Sequence, residues 1–154
     1  MANIVWQDLH HSDLTAAQLY AVLALRCEVF VVEQQCAYLD VDGQDLSGET
    51  RHLIGWQAGK PAAYARLLKH DEAAIGRVIV APAARGQRLG RALMEQALAA
   101  CARHWPQAGV MLSAQAHLQP FYRALGFQPC SEVYDEDGIP HIDMRLTHGD
   151  QRSQ

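Results

Sequence analysis

Apolar and polar positions change period several times along this chain, and each change predicts an element. Ile4 to Leu9 reads as a first strand. Leu19, Val22, Leu23, Cys27 and Phe30 then fall on one helical face, behind a Thr15–Gln18 capping box and a Leu14–Leu19 staple. His52–Trp56 and Ala62–Leu68 predict two strands around the turn Gln57–Pro61. Ile75–Val80 is a short β-branched run that Pro82 stops, because proline has no N–H for a sheet ladder. Leu89, Leu93, Ala97, Ala100 and Cys101 follow at helical spacing, and that helix ends near His104, before Pro106. Val110–Ala114 predicts a strand, and Gln115–Leu125 a short helix closed by Gly126. Phe127–Tyr134 and His141–Leu146 predict strands around Asp135–Gly138, whose Asp-Gly suits a hairpin. The order β-α-β-β-β-α-β-α-β-β predicts an α/β chain, a mixed sheet with helices on its faces.

Composition narrows the class without naming a function. At 154 residues the chain predicts one domain, 1–148, followed by a polar tail, 149–154. No apolar run reaches the roughly 18 residues of a membrane span, and the N-terminus lacks the basic start of a signal peptide. A cytoplasmic protein with no membrane partner is expected. A net charge of −4 argues against a nucleic-acid partner, which selects a basic surface. The cysteines show no C-x-x-C spacing and the histidines no H-E-x-x-H, so no metal is expected. Cys27 and Cys101 lie on predicted apolar faces and read as small core hydrophobes.

Charged residues in unusual places are candidates for chemistry. Arg26 falls within the apolar helix face and Glu33 just past its end, so the two either pair with each other or line a cleft. Residues 34–49 form an acidic loop with Asp40, Asp42, Asp45 and Glu49. It suits a cationic acceptor, or is a solvated surface loop. Gln44 and Asp45 stand where a calcium loop needs other residues, which rejects an EF-hand.

The stretch Ile75–Met94 carries the most information. A strand empties into a turn bearing Arg85, Gly86, Arg88, Gly90 and Arg91, and the turn opens a helix. Helix starts carry unpartnered N–H groups and partial positive charge, glycine admits close approach, and arginine suits phosphate oxygens. A bound diphosphate is one reading; a capped, solvated basic helix face is the other. Neither the P-loop pattern nor G-x-G-x-x-G is present.

Val80, Pro82, Arg85 and Gly90 resemble motif A of the GNAT family, the Gcn5-related N-acetyltransferases, with Arg88 where that family has its middle glycine. Tyr122, Gly126 and Phe127 resemble its motif B, with Gln115 in place of an asparagine. Leu25–Gln34, Asp42–Asp45, Ile75–Val78, Ala114–Leu118 and Glu132–His141 are similar to the ElaA-like subgroup. The resemblance implies the acyl-CoA N-acyltransferase fold and transfer of acetyl from acetyl-coenzyme A to a small-molecule or peptide amine, by a monomer or homodimer. It implies coenzyme contacts from Val78, Ile79, Val80, Arg85, Gly86, Gln87, Arg88, Leu89, Gly90, Arg91, Gln115 and Tyr122, with Tyr122 as proton donor to the thiolate. Glu33 is the first candidate base, behind it His52 and His117, with Arg26 also on the acceptor side. His141 and Glu132 are held as cleft residues only. Two rivals stay open: a coenzyme-binding module without turnover, and an acyl-homoserine-lactone-synthase-like enzyme suggested by Arg26, Phe30 and Glu33.

Overall fold

Thr15 starts the first helix as its sequence predicts. Its hydroxyl accepts the Gln18 N–H at 3.1 Å, and the Gln18 side chain accepts the Thr15 N–H at 2.9 Å. The computed structural model describes residues 3–146; the polar tail lies outside the described residues. Its elements are β1 (Val5–His10), α1 (Ala16–Arg26), β2 (Arg51–Gln57), β3 (Lys60–Lys69), β4 (Ala73–Val80), α2 (Leu89–His104), β5 (Val110–Gln115), α3 (Gln119–Arg123), β6 (Phe127–Pro129), β7 (Tyr134–Glu136) and β8 (Ile139–Leu146). The strands make one mixed sheet in the order β1-β2-β3-β4-β5-β8-β6, with β7 also paired to β8.

Side chains alternate across β3, and this alternation builds a core on each face. Ala63, Ala65 and Leu67 point to one side, where Leu93, Met94, Ala97, Ala100 and Cys101 of α2 cover them. The alanines let α2 lie close on the sheet. Tyr64 points to the other side, with Ile54 and Ile79, beneath Val22, Leu25 and Val29. Leu93 has no exposed surface, so Leu93→Ala costs about 2–5 kcal/mol.

Three local readings are corrected. The buried stripe of the first helix is Val22, Leu25, Arg26 and Val29, so Cys27 is exposed and is not a core residue. Past Arg26 the chain widens into π turns over Cys27–Glu33, with Gln34 N–H bonded to the Val29 carbonyl and Cys36 N–H to that of Val31. The strand expected over Phe127–Tyr134 is split in two. Ser131 Oγ takes the Asp143 N–H at 2.9 Å, replacing a ladder bond and pushing the chain off β8 between β6 and β7. The turn after β7 is the expected tight hairpin: Asp137 and Gly138 both have positive φ, 53° and 84°.

Candidate active site

β4 and β5 run parallel and pair only at Ala73–Val110 and Ala74–Met111. Beyond that point β5 goes on pairing with β8, and β4 with β3, so the two strands part. The edge of β4 facing β5 is left without a strand partner over its C-terminal part, a ready template for an extended ligand. A cleft of about 410 Å³ opens there, lined by Ile75, Gly76, Arg77 and Val78, by Met111, Ser113, Gln115 and Tyr122, and by residues near Tyr38 and the β7–β8 turn. Within β4, Arg77 and Val78 together stand opposite Ala65, a bulge that holds Arg77 at φ +52°. Of the predicted strand contacts, Val78 lines this cleft. Ile79 turns into the core under α1, and Val80 is half-buried against Ala84 and Leu89.

The predicted anion turn sits at the C-terminal end of β4. Residues Pro82–Ala84 form one tight turn, Gly86 takes φ +89°, and Arg88 takes φ +60°, ψ 28° at the N-cap of α2. No side chain among the described residues caps α2, whose first N–H groups lack intrahelical partners and carry the positive end of the dipole. A methyl added at Gly90 would meet only Phe121 at 3.6 Å and Val80 at 4.0 Å, which are ordinary contacts. The protein's own packing therefore does not require glycine there. Leu89 is buried and anchors the turn, and Arg91 pairs along the helix with Glu95 at 3.3 Å. Gln87 accepts a bond from Gln57 at 3.2 Å. Arg88 is exposed and makes no ion pair among the described residues.

Arg85 and Glu33, predicted for different roles, hold each other. Two parallel bonds of 2.7 Å join the guanidinium to the carboxylate, and Arg85 Nε reaches the Val80 carbonyl at 3.2 Å. Hydrogen bonds from Arg85 keep the Glu33 carboxyl below its ordinary value. Glu33 does not line the cleft, and both its oxygens are occupied, so it is a poor base in this state.

Arg26 does not pair with Glu33 and has no surface to offer an acceptor. It is fully buried, with Nε 2.8 Å from Asp40 Oδ2 and Nη1 2.6 Å from Asp45 Oδ1. Arg66 of β3 joins Asp42 at 2.8 Å and Asp45 at 3.0 Å, and Arg77 of the bulge reaches Asp40 at 2.8 Å and Asp42 at 3.3 Å. Much of the acidic loop is exposed, but it offers no free anionic face at Asp40, Asp42 and Asp45, because these three aspartates turn inward onto three arginines. Burial alone would raise Asp42 and Asp45, but bonds from Arg66 and Arg26 respectively hold both below the usual carboxylate range. His52 is corrected too. It is fully buried between the Tyr64 hydroxyl at 2.7 Å and the Asp45 carbonyl at 2.9 Å, and burial pushes its titration down. His117 is exposed and Glu132 is exposed, and neither lines the cleft.

Four candidates do meet in the cleft: Val78, Gln115, Tyr122 and His141. Tyr122 stands edge-on to Phe121 and Phe127, with ring centres 5.0 and 6.2 Å away. Burial pushes its phenol up to about 12, so it keeps its proton at neutral pH. Arg66 and Arg77 were missed from sequence. The available signal was a charged residue inside the buried run Ala62–Leu68, which requires a partner.

A family model described as an acetyltransferase (GNAT) domain matches residues 12–148. Protein ElaA of Escherichia coli K12 is 57% identical over 145 residues, 92% of this chain and 95% of that protein. The crystal structure of Escherichia coli ElaA superposes with a TM-score of 0.91 at 56% identity, covering 94% of this chain and all of that one. That of an acyl-CoA N-acyltransferase from Pseudomonas aeruginosa gives 0.92 at 54% identity over the same shares.

Proposed function

This chain belongs to the acetyltransferase (GNAT) family of acyltransferases, and on that premise we propose that it moves acetyl from acetyl-coenzyme A to a primary amine by direct attack. One observation carries the reading: the unpartnered edge of β4 leads straight into the uncapped N-terminus of α2. An amide-bearing arm laid on that edge would bring a diphosphate to the free N–H groups, with Arg88 and Arg91 adding charge. The open space beside Gly86 and a glycine at position 90 that the protein's own packing does not require both suit close approach of the same ligand. A main-chain N–H near the end of β4 serves the developing oxyanion. Tyr122, protonated at pH 7 and lining the cleft, returns a proton to the departing thiolate, whose ordinary pKa is about 8.5.

Calorimetry with acetyl-coenzyme A and thiol release against an amine panel test this directly. Heat of binding and amine-dependent release are expected. Binding without release for any amine would favour a coenzyme-binding module, and release only from an acylated carrier protein a synthase. Tyr122→Phe is expected to lower kcat about 100-fold, the lower range for a lost proton donor, and to leave coenzyme affinity within about twofold. An unchanged kcat removes the donor role.

A further inference from the structure

We infer that His141 is the base that deprotonates the acceptor amine, acting through Nε2. This rests on the acetyl-transfer reading above and deepens it. His141 lies on β8 directly opposite Gln115 of β5 on one side and Tyr134 of β7 on the other. Directly opposed residues present their side chains on the same face of a sheet, and the ring lines the cleft that also receives Tyr122.

The hydrogen bonds set the tautomer. Nδ1 lies 2.8 Å from the Ile139 carbonyl, which can only accept, so Nδ1 carries the hydrogen. The neutral ring then has its lone pair on Nε2. No hydrogen bond reaches Nε2 among the described residues, and the Glu136 carboxylate stands off at 3.9 Å. The side chain is 12% exposed, and Nε2 is not among the buried atoms that lack a partner, so Nε2 is open to solvent on a residue that lines the cleft. The ring is also held in place. Tyr134 stacks beneath it with centres 6.3 Å apart, its own hydroxyl fixed by Ser113 at 2.5 Å and Asp143 at 2.6 Å.

The rest of the cleft explains why a base is needed. Glu136, Asp137 and Asp143 line it, whereas the charges of Arg66 and Arg77 are already met by the loop aspartates. An amine entering such a cleft arrives as ammonium, and a lysine-like amine is free in fewer than about one molecule in a thousand at pH 7. Nε2 takes one proton from that ammonium. The freed nitrogen pair forms the N–C bond to the thioester carbonyl, and the C–S bond breaks. The second nitrogen proton replaces the one Tyr122 gives to sulfur, and the imidazolium releases its proton to water. Glu136, placed just beyond bonding distance, stabilises the imidazolium. On the elements packed around the ring, the other titratable or charged groups are Tyr134 and Asp135 of β7, Asp143 and Arg145 on β8 itself, the latter paired with Glu72, and His117 of the exposed turn after β5; β5 itself brings only neutral Gln115 and Ser113.

His141→Asn keeps an N–H for the Ile139 carbonyl and removes the lone pair. At pH 7 the variant is expected to lose about 100-fold or more in kcat/KM for an Nε-amine such as Nα-acetyl-lysine amide. The loss should be several-fold smaller for an α-amine peptide, whose pKa is about 8. Raising the pH to 9.5 should recover the lysine-type rate in the variant, with acetyl-coenzyme A affinity unchanged throughout. His141→Gln, read the same way, covers a poorly folding asparagine variant. Wild-type turnover with equal rates in the variants, or a uniform loss for both amines at every pH, overturns the base assignment and leaves acetyl transfer standing. No wild-type turnover with any amine overturns both.

Discussion

Arginines gather at two places in this protein, and their surroundings give them opposite work. Beside the cleft, Arg26, Arg66 and Arg77 meet Asp40, Asp42 and Asp45; Arg26, Arg66, Asp40 and Asp45 are buried, while Arg77 and Asp42 are partly exposed. At the start of α2, Arg85 is exposed in a pair with exposed Glu33, Arg88 is unpaired among the described residues, and the helix N–H groups are uncapped. The first group carries its counter-charges in the same chain and holds a loop down. The second leaves Arg88 and the first N–H groups of α2 without a counter-charge or side-chain cap among the described residues, the features on which the proposed anion site rests. An arginine's residue type does not separate these roles; the location of its counter-charge does.

The sharpest break of this contrast is at Asp45. Its carboxylate takes bonds from Arg26 at 2.6 Å and from Arg66 at 3.0 Å, and its carbonyl takes one from His52. Asp45→Ala leaves Arg26, Arg66 and Arg77 sharing Asp40 and Asp42, so one charge in the network is uncompensated, and should cost about 3–5 kcal/mol in urea unfolding. A loss below 1 kcal/mol would mean that water reaches the network and that the two arginine groups are not different in kind.

Acid should separate the same regions without a mutation. The folded-state carboxyls of Asp42 and Asp45 lie below their unfolded values near 3.9. A depressed carboxyl contributes stability that is full above the unfolded pKa and is lost as pH falls through the folded one. Urea midpoints should begin to fall below about pH 6.5, where His52 protonates in the unfolded chain but is held neutral by burial in the fold. They should fall more steeply below about 4.5, with a shallower fall in that lower range in Asp42→Asn. Glu33 is depressed as well, yet it is exposed, and Glu33→Gln should leave the curve unchanged.

How much of this could be read beforehand follows the range of each interaction. The Thr15–Gln18 cap, the α2 seam and the Asp137-Gly138 turn are local, and all appear where the pattern puts them. The arginine network joins Arg26 to Asp45 across 19 positions and Arg66 to Asp42 across 24, and no periodicity carries that information. The same holds for Ser131, whose hydroxyl bond to the Asp143 N–H splits one expected strand into two. At the site, motif spacing singled out the arginine- and glycine-bearing turn and Tyr122, and the fold puts the turn at the end of β4 and Tyr122 in the cleft. It misassigned Arg26 and His52, because a charged or polar residue in a buried face signals a partner without saying which one. His141 was legible as a cleft residue but not as a base, since its tautomer depends on the Ile139 carbonyl of the folded chain.

A smaller effect sharpens the contrast from the other side. Arg85→Ala should leave unfolding unchanged, because the pair it breaks is exposed, and should weaken acetyl-coenzyme A about tenfold, ~1.4 kcal/mol. Glu33→Gln frees the same guanidinium and should tighten binding. If Arg85→Ala destabilises the fold as Asp45→Ala does while affinity stays constant, Arg85 belongs to the first group and the division falls.

Arg88 offers the finest test, since it combines a strained backbone with an unpaired charge. Its φ of +60° is left-handed, which costs a side-chain-bearing residue about 1–2 kcal/mol. Glycine removes that strain but gives the unfolded chain extra freedom worth about 0.4–1 kcal/mol. The two nearly cancel, so Arg88→Gly should change stability by less than about 1 kcal/mol, in the stabilising direction. Arg88→Ala keeps the strain and loses the charge, and should be the less stable of the two. Both variants lose the guanidinium, so if Arg88 serves the bound anion through its charge, both should weaken acetyl-coenzyme A equally, by a few-fold, and more at low salt. If glycine instead restores or improves affinity while alanine does not, the turn's geometry rather than its charge limits binding, because the same N–H then reaches the phosphate from a relaxed backbone.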